Sequence, residues 1–212
     1  MTDFNNFTTE QEAFWSGSFG DTYTDRNNAE SISRSNLVFW GQTLKITGPI
    51  NSCFEIGCNR GLNLDAIKAL LPSCRTIGLE INSYAAKECA KKNHLVFEGS
   101  ILAPPQVAIG SVGMADLSIA SGVLIHIRPE NLSIAYKFLF DTSKRFILIS
   151  EYFSPVPVSI PYRGHENKLF KRDFAGELWA QYPSLNLVDY GFIWSKDPVA
   201  PKGDITWFLF SK

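Results

Sequence analysis

The apolar residues of the chain follow two spacings, and the switch between them predicts where strands and helices lie. Between residues 50 and 150, short apolar runs alternate with stretches in which apolar residues recur at every third or fourth position. The runs predict buried strands, and the three-to-four spacing predicts helices. This alternation predicts an α/β fold, with a parallel sheet and helices on both of its faces. We predict strands from Ser52 to the turn at Gly57 and at residues 75–80, 94–98, 115–120 and 145–150.

The beginning of the chain carries helix signals. Thr9 is a helix N-cap, Glu12 completes a capping box with it, and Gly17 is a stop signal. Residues 19–27 combine aromatic side chains with charged and amide groups. This mixture suits an irregular lid, a wall of a ligand site or a cap on the core, rather than a plain amphipathic helix.

A second helix is predicted over residues 29–44, before Gly48. Its inward-facing positions are predicted to be Ile32, Leu37, Trp40 and Leu44. Together these segments predict a single domain of residues 1–212, with residues 1–47 as a helical lid or cap and residues 48–212 as the core.

The region after the fifth strand is predicted to be a long loop over residues 153–168, because prolines interrupt it repeatedly. A helix that carries Phe170, Phe174 and Leu178 is expected to follow. Two last strands, at residues 187–193 and 205–210, could pair with each other.

The turn after the first strand indicates a ligand site. Gly57 and Gly61 bracket this turn, and glycine lets a backbone turn tightly and approach a ligand closely. Glu55 lies just before the turn, and Glu80 ends the second strand. In a parallel sheet both acids reach the edge at which open α/β sheets bind ligands, where an acid such as Glu80 can bind a ribose diol. The pattern predicts a ligand that contains adenosine.

Composition restricts the class of protein. The 212 residues are 45% hydrophobic, which is enough for one sizeable core. The formal net charge is −1, so nucleic acid is not expected as a partner. No apolar stretch reaches the about 20 residues that cross a bilayer, and the start lacks signal-peptide features; we expect a cytoplasmic protein without a membrane partner. The four cysteines, at positions 53, 58, 74 and 89, are expected to be buried thiols, and no metal site is predicted.

Two adenosine ligands fit a glycine turn of this kind. A nicotinamide or flavin dinucleotide needs the pattern Gly-x-Gly-x-x-Gly, but Asn59 and Leu62 stand where two of these glycines are required. S-adenosylmethionine has no pyrophosphate, so its turn needs fewer glycines and can keep an acid, here Glu55, facing the cationic methionine end. The sequence therefore favours S-adenosylmethionine over the dinucleotide cofactor of an oxidoreductase.

The same residues carry a family resemblance. Glu55-x-Gly57-x-x-x-Gly61, followed by Glu80, resembles the first two motifs of class I S-adenosylmethionine-dependent methyltransferases. The whole chain is also similar to a narrower family, the methylases associated with pseudaminic acid biosynthesis, which lie beside pathways for nine-carbon sugars. Residues 14–27, 122–127, 160–165, 168–174 and 188–192 carry this second resemblance. The chain departs from that family at Ala120-Ser121, where the family has Thr-Lys.

The resemblance implies a Rossmann-like class I methyltransferase fold, with a seven-stranded, mostly parallel sheet and one antiparallel strand near the C-terminus. It also implies a cofactor site. Glu55, Gly57 and Gly61 would hold the methionine end, Glu80 would hold the ribose, and Ser100 and Ile101 would flank the adenine. The remaining predicted cofactor contacts are Asn59 and Ser121, with Trp15 and Tyr23 closing over the ligand and Arg26 pairing with an acid. S-adenosylhomocysteine would be the product.

The acceptor side of the predicted site is defined less well. His126, at the end of the fourth strand, is a candidate general base, and His165 and Tyr162 are further catalytic candidates. Arg163 offers a planar fork for a carboxylate or phosphate. Lys168, Glu151 and Tyr152 complete the predicted substrate contacts.

The leading hypothesis is methyl transfer to an oxygen or nitrogen of a small molecule, such as an anionic nonulosonic-acid sugar or its nucleotide. The alternatives are transfer to an unrelated small amine or carboxylate, or a non-catalytic module that binds the cofactor for a partner protein. Either a monomer or a homodimer is compatible with the sequence.

Overall fold

The computed structural model describes residues 9–26, 29–105 and 113–212. The helices are α1 (Glu10–Ser16), α2 (Ser18–Arg26), α3 (Ala29–Thr47), α4 (Leu62–Leu70), α5 (Ser83–Ala90), α6 (Leu132–Thr142) and α7 (Phe174–Gln181). The strands are β1 (Ser52–Ile56), β2 (Arg75–Glu80), β3 (Leu95–Glu98), β4 (Ala115–Ser121), β5 (Ser143–Glu151), β6 (Val158–Tyr162), β7 (His165–Lys171), β8 (Asn186–Ile193) and β9 (Ile205–Ser211). Short 3-10 helices span Leu124–His126 and Pro129–Asn131.

Seven strands form one sheet in the order β3-β2-β1-β4-β5-β9-β8. The neighbouring pairs among β1 to β5 are parallel. Strand β9 runs antiparallel to both of its neighbours, β5 and β8. The predicted α/β class, the mostly parallel sheet and the pairing of the last two strands are confirmed. Because the first four strands end at one edge, their carboxyl ends bring several loops together there.

Two apolar cores cover the two faces of the sheet. On one face, Phe54 and Ile56 of β1 pack with residues of α6 and α7, such as Leu139 and Leu178. On the other face, Cys53 packs with residues of α3 and α4. Alternate residues of a strand point to opposite faces, so β1 contributes to both cores. Burying a large apolar side chain of this kind stabilises the fold by about 1.5–3 kcal/mol.

Helix α1 starts as the sequence predicts. The Thr9 hydroxyl accepts a hydrogen bond from the Glu12 N–H at 3.2 Å, and the Thr9 N–H donates to Glu12 Oε2 at 2.8 Å. The expectation of an irregular segment at residues 19–27 is wrong for residues 19–26, because they belong to α2; Asn27 lies outside the described residues. A Cβ on Gly20 would lie 2.0 Å from the Trp15 carbonyl oxygen. Helix α2 thus approaches α1 closely at Gly20, a contact that local composition does not reveal.

Helix α3 extends to Thr47, three positions beyond the predicted end at residue 44. Leu37 is 40% exposed, contrary to prediction, whereas Trp40 is fully buried. The buried face includes the polar residues Asn36 and Thr43. The spacing of apolar residues does not reveal these two polar positions. The buried face of α3 is therefore rotated about the helix axis relative to the predicted face. The predicted lid starts at residue 1, but residues 1–8 and 27–28 lie outside the described ranges.

The predicted loop over residues 153–168 contains most of a β-hairpin instead. Strands β6 and β7 pair antiparallel around the two-residue turn Arg163-Gly164. Both turn residues have positive φ, 50° and 85°, which is the conformation of a primed hairpin turn. Phe170 belongs to β7 and not to the helix, which begins after Asp173, whose side chain accepts a hydrogen bond from the Gly176 N–H at 2.8 Å. Prolines in the sequence concealed this hairpin.

All four cysteines are buried free thiols. Within the described ranges, no helix has the length and apolar character needed to cross a membrane. The described His, Cys, Asp and Glu side chains include no cluster of three or more that could hold a metal ion.

Candidate functional site

A cavity of about 290 Å³ lies at the carboxyl ends of β1 to β4. Helices α1, α2 and α3 supply the wall that faces this edge, through Glu12, Trp15, Tyr23 and Asn36. Ten of the residues predicted from the sequence line the cavity: Trp15, Tyr23, Glu55, Gly57, Asn59, Glu80, Ser100, Ile101, Ser121 and His126.

The glycine turn packs closely against the loop that follows β4. Gly57 has a φ of 66°, and a Cβ there would lie 2.4 Å from a methyl carbon of Val123. Its N–H donates to the Leu79 carbonyl at 2.8 Å, and the Asn59 N–H donates to Glu80 Oε2 at 2.7 Å. These N–H groups already have protein partners, so they do not form the cradle that a pyrophosphate needs.

Gly61 has a different part in the turn, since it does not line the cavity. Its φ is 77°, and a Cβ there would lie 2.5 Å from Cys89 Sγ in α5. Any larger residue would therefore push the turn away from α5. Gly61 sets the position of the turn rather than contacting the cavity.

Glu55 has a buried carboxylate with one available oxygen. Its Oε1 accepts a hydrogen bond from Asn63 Nδ2 at 2.6 Å, and Trp40 Nε1 in turn donates to Asn63 Oδ1 at 3.1 Å. Its Oε2 has no hydrogen-bond partner. Burial raises the pKa of Glu55 to about 8, so the group gains from any ligand that supplies a positive charge or a donor.

Each carboxylate oxygen of Glu80 accepts a hydrogen bond from the backbone. Its Oε1 accepts from the Asn82 N–H at 2.8 Å and its Oε2 from the Asn59 N–H at 2.7 Å. Burial raises its pKa, while these backbone donors oppose the rise. A carboxylate has about four acceptor positions, so two remain for a diol. Asn82 also donates to Asp21 Oδ1 at 2.8 Å, which joins α2 to this end of the sheet.

The loop after β3 forms the other end of the cavity. The Ser100 hydroxyl donates to Glu12 Oε1, and the Leu102 N–H donates to the Ser100 hydroxyl at 3.0 Å. Helix α1 is thus tied to the loop that holds Ile101. Trp15 Nε1 lies on the same wall, buried and without a hydrogen-bond partner, and can donate to a ligand.

His126 lines the cavity beneath the Trp15 ring, with the ring centroids 4.3 Å apart. Its Nδ1 lies 2.6 Å from the Lys168 carbonyl oxygen. A carbonyl oxygen only accepts, so Nδ1 carries the proton and Nε2 carries the lone pair. Burial lowers the pKa of His126 to about 4. The imidazole is therefore neutral at pH 7, with a free lone pair on Nε2, and its low pKa makes it a weak base.

Comparison with known proteins identifies the fold around this cavity. No family model and no curated protein matches the chain. Solved structures do match. They include magnesium protoporphyrin IX methyltransferase (ChlM) from Synechocystis PCC 6803 with bound SAM, which is 13% identical, has a TM-score of 0.64 and aligns over 98% of this chain and 100% of that chain.

Two further methyltransferase structures agree. A SAM-dependent methyltransferase from Archaeoglobus fulgidus is 12% identical over 92% of this chain and 100% of that chain, with a TM-score of 0.65. The plantazolicin methyltransferase BpumL in complex with SAH is 12% identical over 95% of this chain and 93% of that chain, with a TM-score of 0.63. The chain has the class I methyltransferase fold. At these identities the likeness concerns the fold and does not extend to the narrower family named by the sequence resemblance.

Within this methyltransferase fold, several predicted acceptor residues lie outside the cavity. Tyr162 packs behind it, with its ring centroid 5.2 Å from that of His126. His165 is exposed and packs on Phe14, with ring centroids 4.9 Å apart. Arg163 forms the exposed hairpin turn, with its guanidinium 5.9 Å from the Tyr162 ring centroid.

The remaining predicted residues outside the cavity have identifiable partners. Glu151 Oε1 accepts hydrogen bonds from the Val123 and Leu124 N–H groups, each at 2.9 Å. Tyr152 lies beneath the Lys171 ammonium, which is 4.9 Å from its ring centroid. Arg26 Nε donates to the Thr22 carbonyl at 3.2 Å; its predicted pairing with an acid stays a prediction, since no acid among the described side chains pairs with it.

Lys168 Nζ lies 3.4 Å from Glu10 Oε1, and neither residue lines the cavity. The predicted contact of Lys168 with substrate, like the other predicted roles, stays a prediction.

Sequence reasoning missed several cavity residues. Asn63 is the second residue of α4. It follows Glu55 by eight positions, so the same local motif could have indicated it as a cavity residue. Asn36 and Lys202 also line the cavity, but they come from α3 and from the loop between β8 and β9. No local motif marks either residue, because only the packing of distant segments brings them to this edge.

Proposed function

We propose that the protein is an S-adenosylmethionine-dependent methyltransferase that transfers a methyl group to an oxygen or nitrogen of a small molecule. The observation that carries the proposal is the unpaired, buried Oε2 of Glu55 in a cavity that also exposes Glu80. A buried carboxylate oxygen without a partner is costly unless a ligand supplies one. The ammonium at the methionine end of S-adenosylmethionine can supply this partner.

The residues present fit this cofactor along the length of the cavity. Glu55 would receive the ammonium, and Glu80 would receive the ribose hydroxyls through its remaining acceptor positions. Ser100 and Ile101 would border the adenine, next to Glu12. The occupied N–H groups of the glycine turn support a ligand without a pyrophosphate, and so favour this cofactor over a dinucleotide.

When bound, S-adenosylmethionine supplies a methyl group on a positively charged sulfur. The protein's part is to position the acceptor and, where the acceptor is a hydroxyl or an ammonium, to take its proton. His126 Nε2 has a lone pair for this step, because Nδ1 is held by the Lys168 carbonyl. With a pKa of about 4, it can take the proton of a hydroxyl, which becomes strongly acidic as the new bond to the methyl group forms, but not the proton of an ammonium. The Trp15 ring covers His126 and reduces its contact with water. Positioning accounts for much of the acceleration in such transfers.

An anionic acceptor is supported by the charged residues around Arg128. Arg128 lines the cavity, and its Nη2 lies 3.7 Å from Glu10 Oε1. Lys168 Nζ approaches the same Glu10 oxygen, at 3.4 Å. A carboxylate thus already lies between two cations, and an acceptor carboxylate could replace that of Glu10. Together with the sequence resemblance, this arrangement supports a nonulosonic-acid sugar as the candidate acceptor.

Binding of the cofactor is tested first. Titration calorimetry with S-adenosylhomocysteine should show binding by the wild-type chain and about 10- to 100-fold weaker binding by Glu80→Ala, because hydrogen bonds to a charged group are lost. Glu98→Ala is the matched control, since Glu98 ends the neighbouring strand but is exposed and lies outside the cavity. Unchanged affinity in Glu80→Ala would refute its assignment to the ribose.

Catalysis is tested separately with labelled S-adenosylmethionine and a panel of nonulosonic acids, their CMP derivatives, small amines and simple carboxylates. Label in an anionic sugar supports the proposed acceptor, and label in an amine supports the alternative acceptor class. Tight cofactor binding without transfer to any fraction of a lysate would support a non-catalytic module instead. A cytoplasmic location, a single domain with residues 1–47 as its lid, and a monomer or homodimer are retained as proposals.

A further inference from the structure

Lys202 reaches the proposed cofactor cavity from a distant part of the chain. It lies in the loop between β8 and β9 and lines the same cavity as Glu55. Its ammonium lies 4.6 Å from the centroid of the Phe39 ring in α3. Within the described part of the chain, Nζ makes no salt bridge and donates no hydrogen bond.

Lys202 and Glu55 lie at the same end of the cavity. Phe39, beneath the Lys202 ammonium, packs against Trp40, with ring centroids 5.1 Å apart. Trp40 donates to Asn63, which donates to Glu55. The charge of Lys202 also opposes the rise in the pKa of Glu55. The two opposite charges are therefore close enough to influence each other, yet they make no direct ion pair.

Glu55 Oε2 and Lys202 Nζ each lack a hydrogen-bond partner among the described residues. Burial lowers the pKa of Lys202 to about 8, and the pKa of Glu55 is raised to about 8. Both shifts mean that the charged forms are poorly solvated in the structure as it stands. Asn36 Oδ1, one turn before Trp40 on α3, is a further buried acceptor without a partner that lines the cavity. This end of the cavity thus offers two acceptors and one cation.

We propose that Lys202 binds the carboxylate of the cofactor's amino-acid end, while Glu55 binds its ammonium. This inference rests on the proposed function and deepens it. A zwitterionic amino acid places a cation and an anion on one carbon, and it can supply both missing partners at once. Lys202 then acts as a specificity-determining residue that favours cofactors with a carboxylate. Packing on Phe39 alone would give no such preference.

The experiment compares two ligands by titration calorimetry: S-adenosylhomocysteine and its decarboxylated analogue, which lacks only the carboxylate. The wild-type chain should prefer S-adenosylhomocysteine by about 10- to 100-fold, as expected for a charge-assisted hydrogen bond. Lys202→Met should reduce this ratio to about 1 while leaving affinity for the decarboxylated analogue nearly unchanged. Lys202→Arg should restore most of the preference. Lys196→Met is the matched control, because Lys196 is exposed in the same loop.

The outcomes separate this inference from the proposed function. A wild-type chain that binds neither ligand would refute the cofactor assignment and, with it, the role of Lys202. A wild-type chain that binds S-adenosylhomocysteine, with an unchanged ligand ratio in Lys202→Met, would refute only the role of Lys202. Equal weakening for both ligands in Lys202→Met would indicate a structural role and would also contradict the proposal. Thermal unfolding of each variant checks that the fold is kept.

Discussion

Two buried carboxylates near the carboxyl ends of parallel strands, Glu55 in β1 and Glu151 in β5, have similar surroundings but different tasks. Burial raises the pKa of both, to about 8 and about 7. Each has one oxygen, Oε2, without a hydrogen-bond partner. Glu55 lines the cavity, whereas Glu151 uses its other oxygen to hold the loop after β4. The same type of residue at the same type of position thus lines the cavity in one case and binds the backbone in the other.

The difference arises from what each carboxylate faces. The oxygen of Glu55 that is engaged receives a side-chain donor, Asn63, at 2.6 Å. The corresponding oxygen of Glu151 receives two backbone N–H groups, at Val123 and Leu124. Val123 is also the residue against which Gly57 packs. Glu151 therefore supports the cavity from behind, whereas Glu55 lines it.

The largest expected effect is on ligand affinity, which substitution of Glu55 should lower and substitution of Glu151 should not. Glu55→Gln should weaken binding of S-adenosylhomocysteine by about 10- to 100-fold, because the charged partner of the ligand's ammonium is lost. Glu151→Gln makes the same chemical change outside the cavity and should leave affinity within about twofold. Calorimetric titration of both variants measures this. Equal losses of affinity would show that the two carboxylates are not functionally distinct.

A second effect distinguishes them by stability. Glu151→Leu removes the acceptor of two backbone N–H groups and should lower the free energy of unfolding by roughly 1–3 kcal/mol for each group left unpaired. Glu151→Gln keeps an oxygen acceptor and should lose much less. Urea unfolding followed by circular dichroism gives both values. If Glu151→Leu unfolded at the same urea concentration as the wild type, the support of the loop after β4 by Glu151 would be disproved.

The smallest effect appears in the pH dependence of stability. Folded Glu55 and Glu151 have pKa values of about 8 and about 7, above the about 4.3 of an unfolded glutamate. The folded state therefore holds more protons, and stability falls as pH rises from about 4.3 through these values, by at most about 1.4 kcal/mol per pH unit for each group.

His126 acts in the opposite direction over a different range. Burial lowers its pKa to about 4, below the about 6.5 of an unfolded histidine, so its contribution rises with pH between those values and is constant above them. Between pH 7 and 8 the fall in stability should therefore come mainly from Glu55. It is partly offset by Lys202, whose pKa burial lowers to about 8 from the about 10.4 of an unfolded lysine, so that its contribution rises with pH. The fall in the urea midpoint from pH 7 to pH 8 should disappear in Glu55→Gln; a fall as large as in the wild type would contradict the raised pKa of Glu55.

Residues close together in sequence defined one wall of the site. Gly57, Glu55 and Glu80 were predicted from the pattern of a strand, a glycine turn and a second strand, and all three line the cavity. Such patterns are readable because neighbouring residues adopt their positions through local backbone geometry. The capping box of α1 was readable for the same reason.

The elements on the opposite side of the cavity could not be predicted from local sequence patterns. The composition of residues 19–26 concealed α2, which forms against α1 at Gly20. The prolines of residues 153–168 concealed the β6–β7 hairpin, whose turn depends on positive φ at Arg163 and Gly164. In both segments tertiary packing outweighs local composition. The predicted acceptor residues on the hairpin consequently lie behind or outside the cavity.

By itself, the sequence determined the α/β class, the glycine turn and the two acids Glu55 and Glu80, because short-range periodicity and strand-end position encode them. Only the tertiary structure decided that Glu151 faces the backbone, that His126 carries its proton on Nδ1, and that Lys202 joins Glu55 in one cavity. These three facts depend on contacts between segments that are far apart along the chain. No local pattern contains them, since each arises from how the helices, the hairpin and the last strands pack on the sheet.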